Sequence, residues 1–413
     1  MSSDSKVQPT GTRQRLDHVD AMRPIKQTAV ISTHALIYFA PLSTSLLASG
    51  MLTLTHFSRD AFFFVSACML AYSYRDSERV DLAHYWKRRF MAVGLVYIVW
   101  SIIYFPVAAL TSSATFPYFH LPASAVFSLS GLHHFIFALM TGYYHLYFLL
   151  VLLEFYVVFP WLFLFLRRHV KWRLPVLVAS LAWQVVFPMV VRRGWLGFSV
   201  TSRVETRIVF SYTLYLIGGV VAAFYLERFH DWVVKHRRGI LVATVLVAAV
   251  PLVIDYYAAH GVYIPLLVVP GGNPFAALVI PYNVGAIVAV YLLGVYLVSP
   301  QRSARTRAIV ASGSEAAYGI YVSQIIWLLW LQRWSEHFNV IHSVPWLVMT
   351  IFAVVVIYLA GWLFSAVVAR TPLARAVVGR SRQPWSTLLW WRHRADPETH
   401  HDFGEGPLNL SDV

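Results

Sequence analysis

Arg23 and His34 stand eleven residues apart in "RPIKQTAVISTHAL" (23–36), a stretch that opens on cations and then turns apolar. At about 100° and about 1.5 Å per residue, eleven helical steps come to about 1100°, within about 20° of three full turns, over roughly 16 Å of axis. A helix therefore puts the guanidinium and the imidazole on one face. Lys26 falls about 60° to one side of that stripe and Gln27 about 40° to the other. A neutral imidazole, with an ordinary pKa near about 6.5, takes a proton from an attacking hydroxyl at neutral pH. The same histidine also fits a plainer role, hydrogen-bonding a neighbouring helix while Arg23 anchors at a surface.

Composition decides what surrounds the stripe. Of 413 residues 58% are hydrophobic and 13% charged, against about 25% charged in a soluble domain. Apolar stretches of about 17 to 25 residues, the length that crosses a hydrocarbon core, recur to position 368. The expected fold is an all-α integral membrane protein, a bundle of about ten transmembrane helices over 25–48, 56–73, 90–111, 144–166, 174–191, 208–226, 239–258, 275–299, 314–332 and 346–368. Ionisable groups at membrane depth face a bundle interior or a watered cavity, because hydrocarbon exposure is costly. The stripe is thus expected to line an internal channel.

With both termini on one side, the segments on that side hold 27 of the 33 Lys and Arg. By the positive-inside rule the termini and these loops are cytoplasmic. The formal charge of +14 is then topological and does not mark a nucleic-acid surface. Arg192, Arg193, Arg203 and Arg207 break the pattern, around a loop placed outside. The polar first 22 residues lack the apolar core of a secretory signal. The stretch 116–145 is broken by polar and small residues and reads as a re-entrant or interfacial segment. After residue 369, "QPWSTLLWWRHR" (383–394) has the content of an interfacial helix and 395–413 that of a disordered tail.

Only one cysteine is present, Cys68, so disulfide, CxxC and cluster sites are excluded within the chain, and the scattered histidines indicate no metal site. A P-loop and a GxSxG elbow are absent, which argues against an ATP-driven pump and a serine hydrolase. No clear internal repeat marks two transporter halves.

The motifs carry a resemblance. "DAMRPIKQTAVISTH" (20–34) resembles the opening of the acyltransferase 3 family of bacterial multi-span membrane proteins: an aspartate, an arginine three residues on, and a histidine separated from it by ten residues, matched by Asp20, Arg23 and His34. "RDAFFFVSACML" (59–70) is similar to that family's second span through Asp60, Phe62, Phe63 and Ser66, with Ala67 in place of a glycine. "HYWKRRF" (84–90) resembles the basic start of its third span, and "YHLYFLLVLLEFYVVFP" (144–160) its fourth, with Tyr156 and Pro160 at the right spacing. "GSEAAYGIYVSQ" (313–324) resembles its late serine–tyrosine–tyrosine–histidine helix, with Gln324 where the histidine is common. The second arginine and the proline usual after Arg89 are missing, Glu154 is off the family's glutamate spacing, and Thr371 precedes Pro372 where glutamate is usual.

The resemblance implies a cytoplasmic segment 1–24, an acyltransferase 3-like membrane domain 25–368 and a cytoplasmic interfacial segment and tail 369–413. It implies O-acylation in a bacterial plasma membrane: an acyl group, typically acetyl, passes from cytoplasmic acyl-coenzyme A, a substrate rather than a bound cofactor, to a hydroxyl on a sugar, glycolipid, envelope polysaccharide or secondary metabolite. Arg23 is then the clamp on the donor's phosphates, and His34 either the base or the carrier of the acyl group. Lys26, Gln27, Arg88 and Arg89 are the further donor-binding candidates, although headgroup anchoring also explains the last two. Asp20 either orients Arg23 by a charge-assisted bond or caps the first helix. Asp60 either touches the acceptor or pairs with Arg59. Ser66 and Tyr321 have packing roles as their default. Glu154 is a functional candidate as a lone membrane carboxylate. Two other classes stay open: a proton-coupled transporter, which would place the same groups along a water path, and a lipid-linked-sugar glycosyltransferase, which would want acidic residues in an outer loop.

Overall fold

The structure is a computed structural model and describes residues 16–77, 79–110, 125–192, 206–262, 275 and 277–385. Among these residues every regular element is helical. The first part of the chain forms α1 (Asp17–Asp20), α2 (Met22–Phe39), α3 (Leu46–Thr55), α4 (Phe57–Tyr74), α5 (Leu82–Arg89) and α6 (Leu95–Leu110), the last two joined by a π turn at Phe90–Gly94. Next come α7 (Leu129–Thr141), α8 (Tyr147–Arg168), α9 (Arg173–Arg192), α10 (Thr213–Phe224), α11 (Leu226–Lys235) and α12 (Arg237–Ala259). The chain continues through α13 (Ile280–Val298), α14 (Ala304–His337), α15 (Val340–Ser343), α16 (Trp346–Val368) and α17 (Ala374–Val378).

All ten predicted stretches are helical at least in part. Among the described residues six helical segments are long and apolar enough to cross a membrane, or seven if the pair Val209–Phe224 and Leu226–Lys235, bent by 97°, is one span. The three stretches outside that set are built on α2, α4 and α14, which carry Lys26 and His34, Arg59 and Asp60, and Glu315 and Gln324. Polar side chains turned inward make the helices that line the interior the least apolar ones. The expected first span 25–48 is interrupted: α2 ends at Phe39 and Ala40 is extended (φ −103°, ψ 143°), because the following Pro41 disfavours helical backbone in the residue before it. Of the stretch 116–145, residues 129–141 form α7, at 13 residues too short to cross; residues 116–124 lie outside the described residues, as do 193–205 of the arginine loop and most of the 383–394 segment.

The lipid-facing surface is legible as stripes. On α16, Val348, Ile351, Val355, Leu359 and Leu363 are all exposed, three or four residues apart, a row of apolar side chains that suits lipid rather than water. Inside, aromatic rings join the helices: Phe148 of α8 meets Phe62 and Phe63 of α4 at 4.4 and 4.3 Å, and Tyr212 meets Phe63 at 4.2 Å. The paired phenylalanines therefore pack the bundle. Small residues set the closest approaches, as is usual between membrane helices: a Cβ on Gly219 of α10 would lie 2.3 Å from the Phe64 carbonyl of α4.

The described ends of the chain meet at one end of the bundle. His18 packs on His230 and Tyr291 at 5.1 and 5.2 Å, Pro24 lies against Gly313, and Arg380 donates to the Glu315 carbonyl at 2.5 Å. Arg75 at the end of α4 pairs with Glu227 of α11 at the same end, and that bond holds the Glu227 carboxyl below its ordinary range.

Candidate active site

The stripe read from the sequence exists. Arg23 Nη2 lies 3.2 Å from Asp20 Oδ1, and no side chain caps the start of α2, where Ala21 is the capping residue. Asp20 thus orients Arg23 instead of capping. Lys26 is 3% exposed, with its ammonium 3.8 Å from the centre of the Phe62 ring, and Arg23 and Asp20 are its charged neighbours. The cation reaches inward to a π face. Gln27 is fully buried, its Nε2 3.5 Å from Gln324 Oε1 of α14, at the outer limit of a hydrogen bond.

Three turns on, His34 is half-buried and has Gln324 as its side-chain hydrogen-bond partner. Its Nδ1 is buried without a partner, which leaves Nε2 as the ring nitrogen available to Gln324. Across from it stands His145, 6.1 Å between ring centres and inclined at 68°. His145 is 4% exposed, and neither ring nitrogen meets hydrogen-bond geometry, with the Tyr321 and Val322 backbone as its polar neighbours. Its backbone is fixed from both sides. Tyr321 of α14 donates its hydroxyl to the His145 carbonyl at 2.5 Å. Tyr144 before it takes a φ of +44°, a left-handed conformation that costs a non-glycine residue energy and persists only where the surroundings impose it. At the start of this turn, Gly142 has φ +78°, and a Cβ there would meet Tyr147 Cα at 2.4 Å.

His56, at the junction of α3 and α4, is an electrostatic neighbour of both His34 and Arg59. The Arg59 guanidinium lies 4.3 Å from the Phe275 ring and 5.1 Å from Tyr212, has Tyr147 as an electrostatic neighbour and approaches Asp60 Oδ1 at 3.6 Å. Asp60, 1% exposed, accepts from Asn283 Nδ2 of α13 at 2.7 Å. Asp60 therefore pairs with Arg59 and ties α4 to α13. This cluster of imidazoles and Arg59 sits at the opposite end of α4 from Arg75, toward the end away from the basic segments.

Other candidates lie apart from His34. Glu154 of α8 accepts from the Val209 backbone N–H at 2.8 Å, which makes it a strut for the turn before α10. Ser66 is half-buried on α4. Arg88 and Arg89 end α5 just before the π turn, a local underwinding common at functional sites. Arg89 lies 6.0 Å from the Tyr74 and Tyr156 rings, and its Nε, like the nearby Tyr85 and Tyr318 hydroxyls, is buried without a partner. Among the described residues no three His, Cys, Asp or Glu side chains gather as a metal site.

Sequence reasoning missed His56 and His145, and gave Arg59 no role beyond pairing with Asp60. The signal for His145 was present in "YYHLYFLL" (143–150), a histidine at the very start of an apolar run, but nothing local pairs it with His34. Chemically, the arrangement offers an unpartnered imidazole nitrogen at depth, a second imidazole facing it, and a paired arginine three turns away along one helix face.

The model of the acyltransferase 3 family, described as an acyltransferase domain, matches residues 17–366. No curated protein and no solved structure matches the chain. The family match starts on α1, ahead of the Arg23–His34 stripe, and closes within α16, so it takes in every helix that lends a side chain to the imidazole cluster: the chain belongs to the acyltransferase 3 family and is an acyltransferase.

Proposed function

We propose that this membrane acyltransferase moves an acyl group, acetyl in the first instance, from cytoplasmic acyl-coenzyme A to a hydroxyl of a sugar, glycolipid, envelope polysaccharide or secondary metabolite. The observation that carries this reading is the column along α2: the Asp20–Arg23 pair at the basic end, then His34 with a free Nδ1, separated by roughly 16 Å of axis. Coenzyme A is a polyanion with a long thin arm ending in the thioester. Arg23, with Lys26 behind it, suits the phosphates, and the orphaned polar atoms around Arg89 suit the same polyanion at the same end. The arm then runs along the α2 face and brings the thioester to His34. In this reading Nε2 carries the proton toward Gln324, and the Nδ1 lone pair of His34 is presented to the acceptor hydroxyl as a general base. Gln324 thereby takes over the tautomer-fixing task of a hydrogen-bond acceptor.

In this reading α2, α4 and α14 are spans as well, which gives ten, and both termini face the cytoplasm of a bacterial cell, the protein being multi-pass in its plasma membrane. The imidazole cluster then lies toward the outer side, where an envelope glycan or lipid-linked sugar approaches. The experiment is transfer of radiolabel from acetyl-coenzyme A, in membranes holding the protein, into alkali-labile esters of envelope material. Wild type is expected to transfer, and His34→Ala to fall by about 10²- to 10⁴-fold while accumulating normally. Wild-type membranes that neither transfer label nor release thiol above background would overturn the reading.

A further inference from the structure

The proposed chemistry leaves one charge without a partner: the oxyanion that develops on the thioester carbonyl oxygen as the acceptor attacks. Across from His34 the structure holds a second buried imidazole, packed between the Tyr104 and Tyr321 rings. His145 is 4% exposed, its ring centre is 6.1 Å from that of His34, and neither ring nitrogen meets hydrogen-bond geometry with any protein group, its polar neighbours being the Tyr321 and Val322 backbone. A buried imidazole left with no bond at either nitrogen is costly unless a ligand completes it. Its backbone, by contrast, is held firmly, by the Tyr321 hydroxyl on its carbonyl at 2.5 Å and by the left-handed Tyr144 at φ +44°. Backbone strain next to a free functional group is how a protein aims a side chain. The surrounding rings restrict it further: Tyr321 at 4.8 Å and Tyr104 at 5.7 Å.

We infer that His145 is a second catalytic residue, whose ring N–H donates to the thioester carbonyl oxygen while His34 acts on the acceptor hydroxyl. The reacting carbonyl group lies beside the edges of the two rings, within reach of a nitrogen of each. The hydroxyl oxygen attacks the carbonyl carbon, so a C–O bond forms and the C–S bond breaks. The hydroxyl proton passes to His34 Nδ1 and from there to the departing thiolate, giving the free thiol of coenzyme A. His145 donates a hydrogen bond throughout and exchanges no proton. A neutral imidazole supplies that donor from one of its nitrogens. Asn and Gln each keep an N–H at a similar reach, whereas Ala has none.

The inference rests on the acyl-transfer reading above, and the experiment separates the two. Membranes carrying wild type, His145→Ala, His145→Asn or His145→Gln are given radiolabelled acetyl-coenzyme A, with His34→Ala as the inactive reference. Accumulation and elution in detergent are measured for each. His145→Ala is expected to lose about 10²- to 10³-fold in kcat, the usual cost of one oxyanion donor, with the apparent KM for acetyl-coenzyme A within about threefold of wild type, since uniform binding is untouched. Either Asn or Gln should regain at least about tenfold of the loss, because the N–H and not the ring carries the effect. Retention of more than a third of wild-type kcat by His145→Ala overturns the assignment. Equal losses in Ala, Asn and Gln, or failure of all three to accumulate, make His145 a packing residue and overturn it too. A wild type that moves no label fails at the earlier step, on acyl transfer itself.

Discussion

Arg23 sits at about a third exposure with Asp20 at 3.2 Å, a geometry that holds the guanidinium ready for an anion without burying it. Arg23→Ala is expected to raise the apparent KM for acyl-coenzyme A while changing kcat little, since roughly three helical turns separate it from His34. Arg23→Lys retains part of the affinity if charge dominates, and little if a bidentate phosphate contact is required; steady-state kinetics over a donor titration distinguishes the two. A kcat loss as large as that of His34→Ala would contradict a clamp role. Glu154 leads to the opposite expectation. Its carboxylate accepts from Val209 N at 2.8 Å, and an amide oxygen accepts equally well, so Glu154→Gln should transfer acyl groups within about threefold of wild type. Glu154→Leu leaves that N–H unsatisfied and should destabilise the protein by about 1–3 kcal/mol, read as a lower melting point in detergent. Inactive but stable Glu154→Gln would return this carboxylate to the catalytic list.

At the scale of elements, the turn between α7 and α8 matters most, because it aims His145. Gly142 has φ +78°, and a Cβ there would lie 2.4 Å from Tyr147 Cα. Gly142→Ala is therefore expected to cost more than about 1 kcal/mol, and to lower transfer in whatever fraction accumulates, measured as activity per folded protein. Unchanged specific activity would show that the turn tolerates displacement. The helix faces themselves were legible: a period of 3.6 residues fixes which side chains share a stripe, and Arg23, Lys26, Gln27 and His34 do turn to one interior. Helix ends were less legible. Pro41 ends α2 earlier than hydropathy alone suggested, and the hydropathy of 208–226 gives no hint that the chain bends by 97° where α10 meets α11, since an apolar window reports solvent preference and not direction.

For the whole molecule, the basic segments and both described chain ends meet at one end of the bundle. In the proposed orientation, which rests on the charge bias of the loops, that end faces the cytoplasm. A reporter active only outside the cytoplasm, fused after residue 369, should be silent, and one fused within the loop following α6 should be active. A strong signal after residue 369 would overturn this orientation. The transporter and glycosyltransferase readings gave way once the match over residues 17–366 made the chain an acyltransferase.

The sequence by itself determined the solvent, through a charged fraction of 13%, and determined the α2 stripe, because both follow from composition and from the regular geometry of one helix. It also contained the motifs by which the family is recognised. Only the tertiary structure decided what His34 faces. Gln324 is 290 positions away along the chain and His145 is 111 away, and both reach it by helix packing set by aromatic rings on α4, α8 and α14. The same packing gave Glu154 to a backbone amide and Asp60 to Arg59 and Asn283. Periodicity records which face a residue occupies on its own helix. Which residue stands opposite depends on how two separate helices interlock, and that information is spread over every side chain in the contact.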